Sequence, residues 1–209
     1  MKIGIDIDDT TLVTVKGMIK YGDIFCQEVL KRPNTKSNLS DIKDRYYLGA
    51  LYGWSEETKF QFFNMYYKNV LEECTPIENA PETITKLKEE GNGIYFISAR
   101  LTSIKDCPAE EITIDTFTKY QIPYDKIIIA AYDKLQCCLE NGIEVFIDDS
   151  YDVLKELTAH GIRCYLMTTP MNSSIQVEDG IKRVHTWDEI YNDLKEVTYD
   201  SKLLKRTIN

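Results

Sequence analysis

The sequence is short of positive charge and of long apolar runs. Its 25 Lys and Arg residues are outnumbered by 34 Asp and Glu residues, which gives a formal net charge of −9 at pH 7. Nucleic-acid duplexes and anionic membrane surfaces reward a basic face, so this balance argues against both as partners. No apolar run approaches the roughly 20 residues that a membrane-spanning helix requires. We therefore expect a protein that binds neither a nucleic-acid polymer nor a membrane.

Zinc-type cysteine spacing and a signal peptide are also absent. The six cysteines form no CxxC pair, a pattern typical of reduced and mostly buried thiols. The first ten residues, MKIGIDIDDT, carry acids where a signal peptide has its apolar stretch. These features predict a cytoplasmic protein. Neither of the two histidines, His160 and His185, falls in a motif that suggests chemistry.

Short apolar strands alternate with helices through most of the chain. Strands are predicted at the opening KIGIDI and at 93–98, 126–130, 144–148 and 163–167. Helices are predicted at 81–90, 109–120, 133–140 and 151–160, and Thr186 with Glu189 has capping-box spacing for a last helix. The alternation predicts an α/β fold, with a Rossmann-like parallel sheet and helices on both faces.

Residues 12–78 break this alternation. They contain no convincing buried strand and many aromatics at helical spacing, such as Phe63, Tyr66 and Tyr67. The segment is far too long for a loop between adjacent strands. It is predicted to be a small helical cap, inserted after the first strand of a core made of residues 1–11 and 79–209.

The first strand ends in a cluster of acids, Asp6, Asp8 and Asp9, followed by Thr10. Ligands of an open parallel sheet bind outside the carboxyl ends of its strands. Carboxylates crowded at such a place repel one another unless a cation offsets their charge, and Mg²⁺ prefers oxygen ligands. The alternative is an acidic turn that only caps a helix.

Three further motifs follow the acidic cluster. They are Ser98-Ala99-Arg100 at the end of the second predicted strand, Lys134 near a helix start, and Asp148-Asp149 at the end of the fourth strand. Each alone has an ordinary explanation: a serine leaving a strand, a surface lysine, and a capped helix start. The order of all four motifs is much more specific than any one of them.

In this order the motifs resemble those of the haloacid dehalogenase (HAD) superfamily of phosphotransferases. The resemblance covers residues 1–11 and about 79–170 and implies a phosphatase. It implies that Asp6 is the nucleophile that forms an aspartyl-phosphate. It implies that Asp8 is the general acid and base, which also binds the metal through its backbone carbonyl.

The same resemblance implies the other contacts. The residues implied to bind phosphate are Thr10, Ser98, Ala99, Arg100 and Lys134. For Arg100 the alternative is that it pairs with an acid nearby. The residues implied to hold Mg²⁺ are Asp6, Asp8, Asp148 and Asp149. A receiver domain gathers similar groups, but its lysine follows the phospho-accepting aspartate at the end of the last strand, whereas Lys134 precedes the last acidic pair.

Within the superfamily, the chain is similar to the 5′(3′)-deoxyribonucleotidase group and its bacterial nucleotidase relatives. The similarity rests on DIDDT, the length of the helical cap, ISAR and IDDS. It implies a small phosphorylated substrate, a mononucleotide. Tyr46, Tyr47 and Trp54 are candidates for stacking on a base, and the alternative is that they pack in the core of the cap.

Two other functions stay open at this point. One is hydrolysis or transfer on another small phosphate, such as a sugar or amino-acid phosphate. The other is a catalytically silent binding protein on the same fold, which the presence of both Asp6 and Asp8 disfavours.

Overall fold

A parallel six-stranded sheet forms the centre of the computed structural model. The structure describes residues 1–32, 36–42 and 47–196, without the side chains of Ser40 and Tyr47. The strands of the sheet are β1 (Lys2–Ile5), β4 (Gly93–Ile97), β5 (Lys126–Ile128), β6 (Val145–Asp148), β7 (Arg163–Met167) and β8 (Ile181–Val184). Their spatial order is β5-β4-β1-β6-β7-β8, and every neighbouring pair is parallel. The predicted fold class is confirmed.

The five predicted strands are all present in this sheet, and its sixth strand, β8, was missed by the sequence pattern. It is an edge strand of four residues in which buried Ile181 and Val184 flank Lys182 and Arg183. So short and polar a stretch carries little of the apolar signal of the central strands. The central β1, by contrast, is almost wholly buried, with Ile3 and Ile5 at 0% exposure.

Helices connect the strands of the sheet. They are α4 (Ala80–Glu89), α5 (Ala109–Lys119), α6 (Lys134–Asn141), α7 (Tyr151–Ala159) and a last helix, α8, over 187–196. The predicted cap at the start of α8 is confirmed for Thr186, whose Oγ1 accepts from the Glu189 N–H at 3.2 Å. The Glu189 carboxylate accepts from the His185 N–H at 2.8 Å, one residue before the position that a capping box uses. Among the described residues, no helix has the length and apolar character needed to span a membrane.

The helical segment that follows β1 leaves and re-enters the sheet domain at one place. A two-residue strand, β2 (Leu12–Val13), pairs antiparallel with β3 (Thr75–Pro76), which was not predicted. Between them lie α1 (Val15–Glu28), α2 (Tyr47–Tyr52) and α3 (Glu56–Glu72). These helices pack around their own aromatic cluster, which includes Phe25, Trp54 and Phe62. We propose that this segment is the cap predicted at 12–78.

All six cysteines are unpaired thiols, and five of them are buried. This agrees with the expectation drawn from their spacing.

Candidate active site

A cleft of about 590 Å³ opens between the carboxyl edge of the sheet and α3. Because β4, β1 and β6 are parallel neighbours, the residues that follow them meet at one edge. The predicted site residues that line the cleft are Asp6, Asp8, Ser98, Ala99, Arg100, Lys134, Asp148 and Asp149. The opposite wall comes from the helical segment, where the Tyr67 hydroxyl also accepts a hydrogen bond from the Leu101 N–H at 3.2 Å.

Lys134 joins two of the acids at the floor of the cleft. Its Nζ donates to Asp6 Oδ1 at 2.5 Å and to Asp148 Oδ2 at 2.8 Å. Burial raises the pKa of Asp6 to about 7, helped by the Asp148 and Asp8 carboxylates and opposed by Lys134. Burial also disfavours the charged form of Lys134, but Asp148 and Asp6 outweigh it and raise the pKa of Lys134. The ammonium therefore stays charged beside Asp6.

Three carboxylates here could share a metal ion. Oxygen atoms of Asp6, Asp148 and Asp149 lie within 4.8 Å of one another. Burial, followed by the charges of Asp148, Asp9 and Asp6, raises the pKa of Asp149 well above its ordinary value. A divalent cation would offset this crowding, and an all-oxygen donor set suits Mg²⁺. The Asp8 carboxylate is not part of this group, which is compatible with the expectation that Asp8 uses its carbonyl.

The Asp8 carboxylate is held by a different set of partners. Arg100 Nε lies 3.2 and 3.1 Å from its two oxygens, and Arg100 Nη2 donates to Oδ1 at 2.9 Å. The Thr14 hydroxyl donates to Oδ1 at 2.5 Å, and the Ser98 hydroxyl lies 3.5 Å from Oδ2. Burial raises the pKa of Asp8, but Arg100 and Thr14 outweigh it and hold that pKa below its ordinary value. Sequence patterns gave no signal for Thr14, which lies beyond the DIDDT motif.

Of the two interpretations of Arg100, the structure favours a pair with a nearby acid over a contact with phosphate. Its side chain is fully buried, and its guanidinium is bonded to Asp8 and, through Nη1, to the Thr113 hydroxyl at 2.7 Å. Thr113 in turn donates to the Ala109 carbonyl at 2.6 Å, so the network is anchored in α5. Because the N–H groups of its guanidinium already donate to the Asp8 carboxylate and to Thr113, Arg100 can orient Asp8 but has few donors left for a phosphate.

For Thr10 the structure differs from the prediction. It was predicted to bind phosphate, but it is 0% exposed, does not line the cleft, and its hydroxyl has no hydrogen-bond partner among the described residues. Its carbonyl accepts a hydrogen bond from Trp187 Nε1 at 3.0 Å, which ties the turn after β1 to α8. The neighbouring Asp9 accepts the N–H groups of Thr14 and Val15, both at 2.9 Å, so it is the helix-capping acid of the motif.

The predicted stacking residues do not line the cleft where the structure describes them. Tyr46 and the side chain of Tyr47 lie outside the described residues. Trp54 is 6% exposed, and its ring centroid lies 4.4 Å from that of Tyr52 in a stacked arrangement and 5.2 Å from that of Phe25. Trp54 therefore packs inside the helical segment, because its ring faces are covered by other aromatics.

Other aromatics line the cleft instead. Phe60 of α3 and Tyr132, which precedes α6, are 63% and 61% exposed. The buried face of α3 carries Phe62, Tyr67, Val70 and Leu71, and Phe60 falls outside it. An apolar residue off the buried face of a helix was the signal that could have singled out Phe60.

The chain matches a known protein family and a curated relative over most of its length. The family described as 5′ nucleotidase, deoxy (pyrimidine), cytosolic type C protein matches residues 2–198. A nucleotidase from Clostridium acetobutylicum is 27% identical over 195 residues, which cover 91% of this chain and 92% of that protein.

Solved structures share the fold at low sequence identity. The haloacid dehalogenase-like hydrolase SP0104 from Streptococcus pneumoniae superposes with a TM-score of 0.63 at 14% identity, over 92% of this chain and 97% of that one. The HAD-hydrolase YfnB from Bacillus subtilis, bound to magnesium, superposes with a TM-score of 0.62 at 14% identity, over 93% and 98%.

Proposed function

This chain belongs to the 5′ nucleotidase, deoxy (pyrimidine), cytosolic type C family, and we propose that it hydrolyses a nucleoside 5′-monophosphate with Mg²⁺ through an aspartyl-phosphate. It is a phosphatase of the HAD superfamily and of nucleotidase type. The observation that carries the mechanism is the Asp6 carboxylate, held at the floor of the cleft between Lys134 and the carboxylates of Asp148 and Asp149.

In the proposed first step, an Asp6 oxygen attacks phosphorus and the bond to the ester oxygen breaks. The leaving alkoxide takes a proton from the Asp8 carboxyl. The negative charge of the bound phosphate would raise the pKa of Asp8 and so favour its protonated form before this step. In the second step, Asp8 takes a proton from a water molecule that attacks phosphorus, releasing inorganic phosphate and restoring Asp6. Splitting one difficult displacement into two is the advantage of a nucleophilic carboxylate.

The proposed electrostatic roles follow from the positions of the charged groups. Asp6, Asp148 and Asp149 would hold the Mg²⁺, together with the backbone carbonyl of Asp8. A bound Mg²⁺ would neutralise negative charge on the phosphoryl group during its transfer. Lys134, already bonded to Asp6 and Asp148, would keep the nucleophile oriented and neutralise a phosphate oxygen. Ser98 and Ala99 line the same cleft and would contact that phosphate.

The exposed aromatic side chains that line the cleft support a nucleoside as the leaving group. The volume of about 590 Å³ lies within the range common for small-molecule sites, roughly 300 to 1,000 Å³. A base needs a flat apolar face on which to stack, and Phe60 and Tyr132 offer exposed rings at the cleft. The relative named as a nucleotidase and the pyrimidine in the name of the family point to the same substrate class.

The test is phosphate release from a panel of ribonucleoside, deoxyribonucleoside, sugar and amino-acid monophosphates, with Mg²⁺ and with EDTA. We expect release that is selective for nucleotides, requires Mg²⁺ and is lost in Asp6→Asn. Selective release from a sugar or amino-acid phosphate would keep the mechanism and overturn the nucleotide substrate. Release that persists in Asp6→Asn would overturn the nucleophile.

A further inference from the structure

The loop that follows β7 connects the metal-binding side of the cleft to the helical segment. Because β7 lies next to β6, residues 168–175 run beside Asp149, and Asn172 and Ile175 line the cleft. Met171, in the same loop, packs in the aromatic cluster of the helical segment and is 9% exposed. We call residues 168–175 the bridging loop. None of the four sequence motifs includes it.

Asn172 is the centre of the bridging loop. It is 4% exposed, and its amide makes four hydrogen bonds. Its Nδ2 donates to the carbonyls of Asp149 at 2.9 Å and Met167 at 2.8 Å. Its Oδ1 accepts from the Thr169 N–H at 3.0 Å and from Arg183 Nη1 at 3.1 Å. All donor and acceptor positions of the amide are therefore used.

Arg183 of β8 fixes the direction in which the Asn172 amide points. Its Nη2 also donates to the Asn172 carbonyl at 3.0 Å and to the Ile175 carbonyl at 2.6 Å. Arginine only donates, so the atom that faces it must be the amide oxygen, and the two N–H groups must face the carbonyls of Asp149 and Met167. The edge strand β8 thus has a part in building the cleft.

We propose that Asn172 is a positioning residue for the Mg²⁺ site, an inference that rests on the proposed function. By holding the Asp149 carbonyl, Asn172 fixes the backbone that carries Asp148 and Asp149. It also keeps the bridging loop against the helical segment through Met171. Groups that orient metal ligands from behind change metal affinity by about 10- to 100-fold when they are removed.

The test compares Mg²⁺ binding, measured by calorimetry without substrate, in the wild-type chain, Asn172→Ala and Asn172→Asp. Asn172→Asp keeps the shape and both acceptor contacts but loses both donors. We expect both variants to bind Mg²⁺ about tenfold more weakly and to lose kcat more than they raise KM for the nucleotide.

The Asn172→Asp variant separates positioning from simple charge. A further acid near the metal would tighten Mg²⁺ binding if charge alone mattered, so tighter binding would overturn the inference. Asn92→Ala is the matched control, because Asn92 Nδ2 donates to the Leu87 carbonyl at 2.9 Å far from the cleft. It should lower the melting temperature without changing Mg²⁺ affinity.

The remaining outcomes separate this inference from the proposed function. If the wild-type chain binds Mg²⁺ and releases phosphate while both Asn172 variants bind Mg²⁺ as tightly as it does, the inference fails and the proposed function stands. If the wild-type chain binds no Mg²⁺, the proposed metal site fails, and the inference fails with it.

Discussion

The floor of the cleft and the wall formed by the helical segment differ in how their side chains are held. At the floor, Arg100 is 2% exposed and makes hydrogen bonds to two partners, and Lys134 joins two aspartates. On the opposite wall, Phe60 is 63% exposed. The floor is therefore organised before a substrate arrives, whereas the wall keeps apolar surface that a substrate could cover.

This difference separates chemistry from recognition. A preorganised floor spends no binding energy on arranging its charges during the reaction. Covering the apolar surface of an exposed aromatic ring is favourable in free energy, and any flat, apolar group of suitable size can cover it. We therefore expect substitutions at the floor to lower kcat and substitutions on the wall to raise KM.

The largest effect is expected for Asp6→Asn. An amide is a poor nucleophile, so kcat should fall by roughly 10⁴-fold or more, as when other nucleophiles are removed. The fold should persist, because burial and neighbouring acids already disfavour the charged form of Asp6. Phosphate release and thermal unfolding without Mg²⁺ would measure the two effects.

Asp152→Asn is the control for Asp6→Asn. Asp152 also lines the cleft, in the first turn of α7, but has no proposed part in the reaction. Its kcat should stay within about threefold of wild type, since a surface charge near a site contributes little. A similar loss of kcat in both variants would mean that negative charge in the cleft, rather than a nucleophile, is what matters.

A smaller effect is expected for Arg100→Lys. Lysine has no planar fork, so it cannot hold both the Asp8 carboxylate and Thr113. A slightly misplaced Asp8 should lower kcat by about 100-fold with little change in KM. Steady-state kinetics on one nucleotide would show the split between the two constants.

Arg163→Lys is the control for Arg100→Lys. Arg163 donates to the Asp193 carboxylate at 2.7 Å and to the Tyr165 hydroxyl at 2.9 Å, away from the cleft. It should leave both kinetic constants near wild type. If Arg100→Lys instead raised KM at constant kcat, the original expectation that Arg100 binds phosphate would be restored.

The sequence predicted the floor of the cleft better than the wall. Strand ends place Asp6, Ser98 and Asp148 at one edge, and their place in the sequence predicts that they meet. The sequence could not tell whether Arg100 pairs with Asp8 or contacts phosphate, because that depends on how α5, which carries Thr113, packs. It missed β8 for lack of an apolar pattern.

For the wall, the spacing of the aromatic residues in the sequence predicts a helical segment, but it does not tell which of these residues face the cleft. Trp54 and Phe60 are both aromatic and only six positions apart, yet one is buried and the other is exposed. The packing of α1, α2 and α3 decides between them. The bonds of Asn172 also depend on tertiary packing, since its partners come from β6, β7 and β8 or from the loops that follow them.

Phe60→Ala tests the wall directly. Loss of one stacking face is worth about 1–3 kcal/mol, so KM for a nucleotide should rise by roughly 5- to 150-fold at nearly constant kcat. Met65→Ala on the same helix is the control, because Met65 is 47% exposed but does not line the cleft. An equal KM for all three proteins would remove Phe60 from substrate binding.

The smallest effect on activity is expected for Trp54→Phe. The smaller ring leaves a void beside Tyr52 and Phe62, which destabilises the folded state. A second effect is opposite in sign. Trp54 Nε1 is buried without a hydrogen-bond partner among the described residues, and removing such an unpaired donor stabilises the folded state by about 1–3 kcal/mol.

These two terms oppose each other in Trp54→Phe, so its free energy of unfolding should change by less than about 2 kcal/mol, with KM within twofold of wild type. Trp54→Ala keeps only the void in an aromatic core and should lose about 3–5 kcal/mol. Chemical denaturation of the three proteins, with kinetics on the same nucleotide, measures both quantities. A rise in KM for Trp54→Phe as large as that for Phe60→Ala would return Trp54 to the base-binding wall, because packing alone gives no reason for that rise.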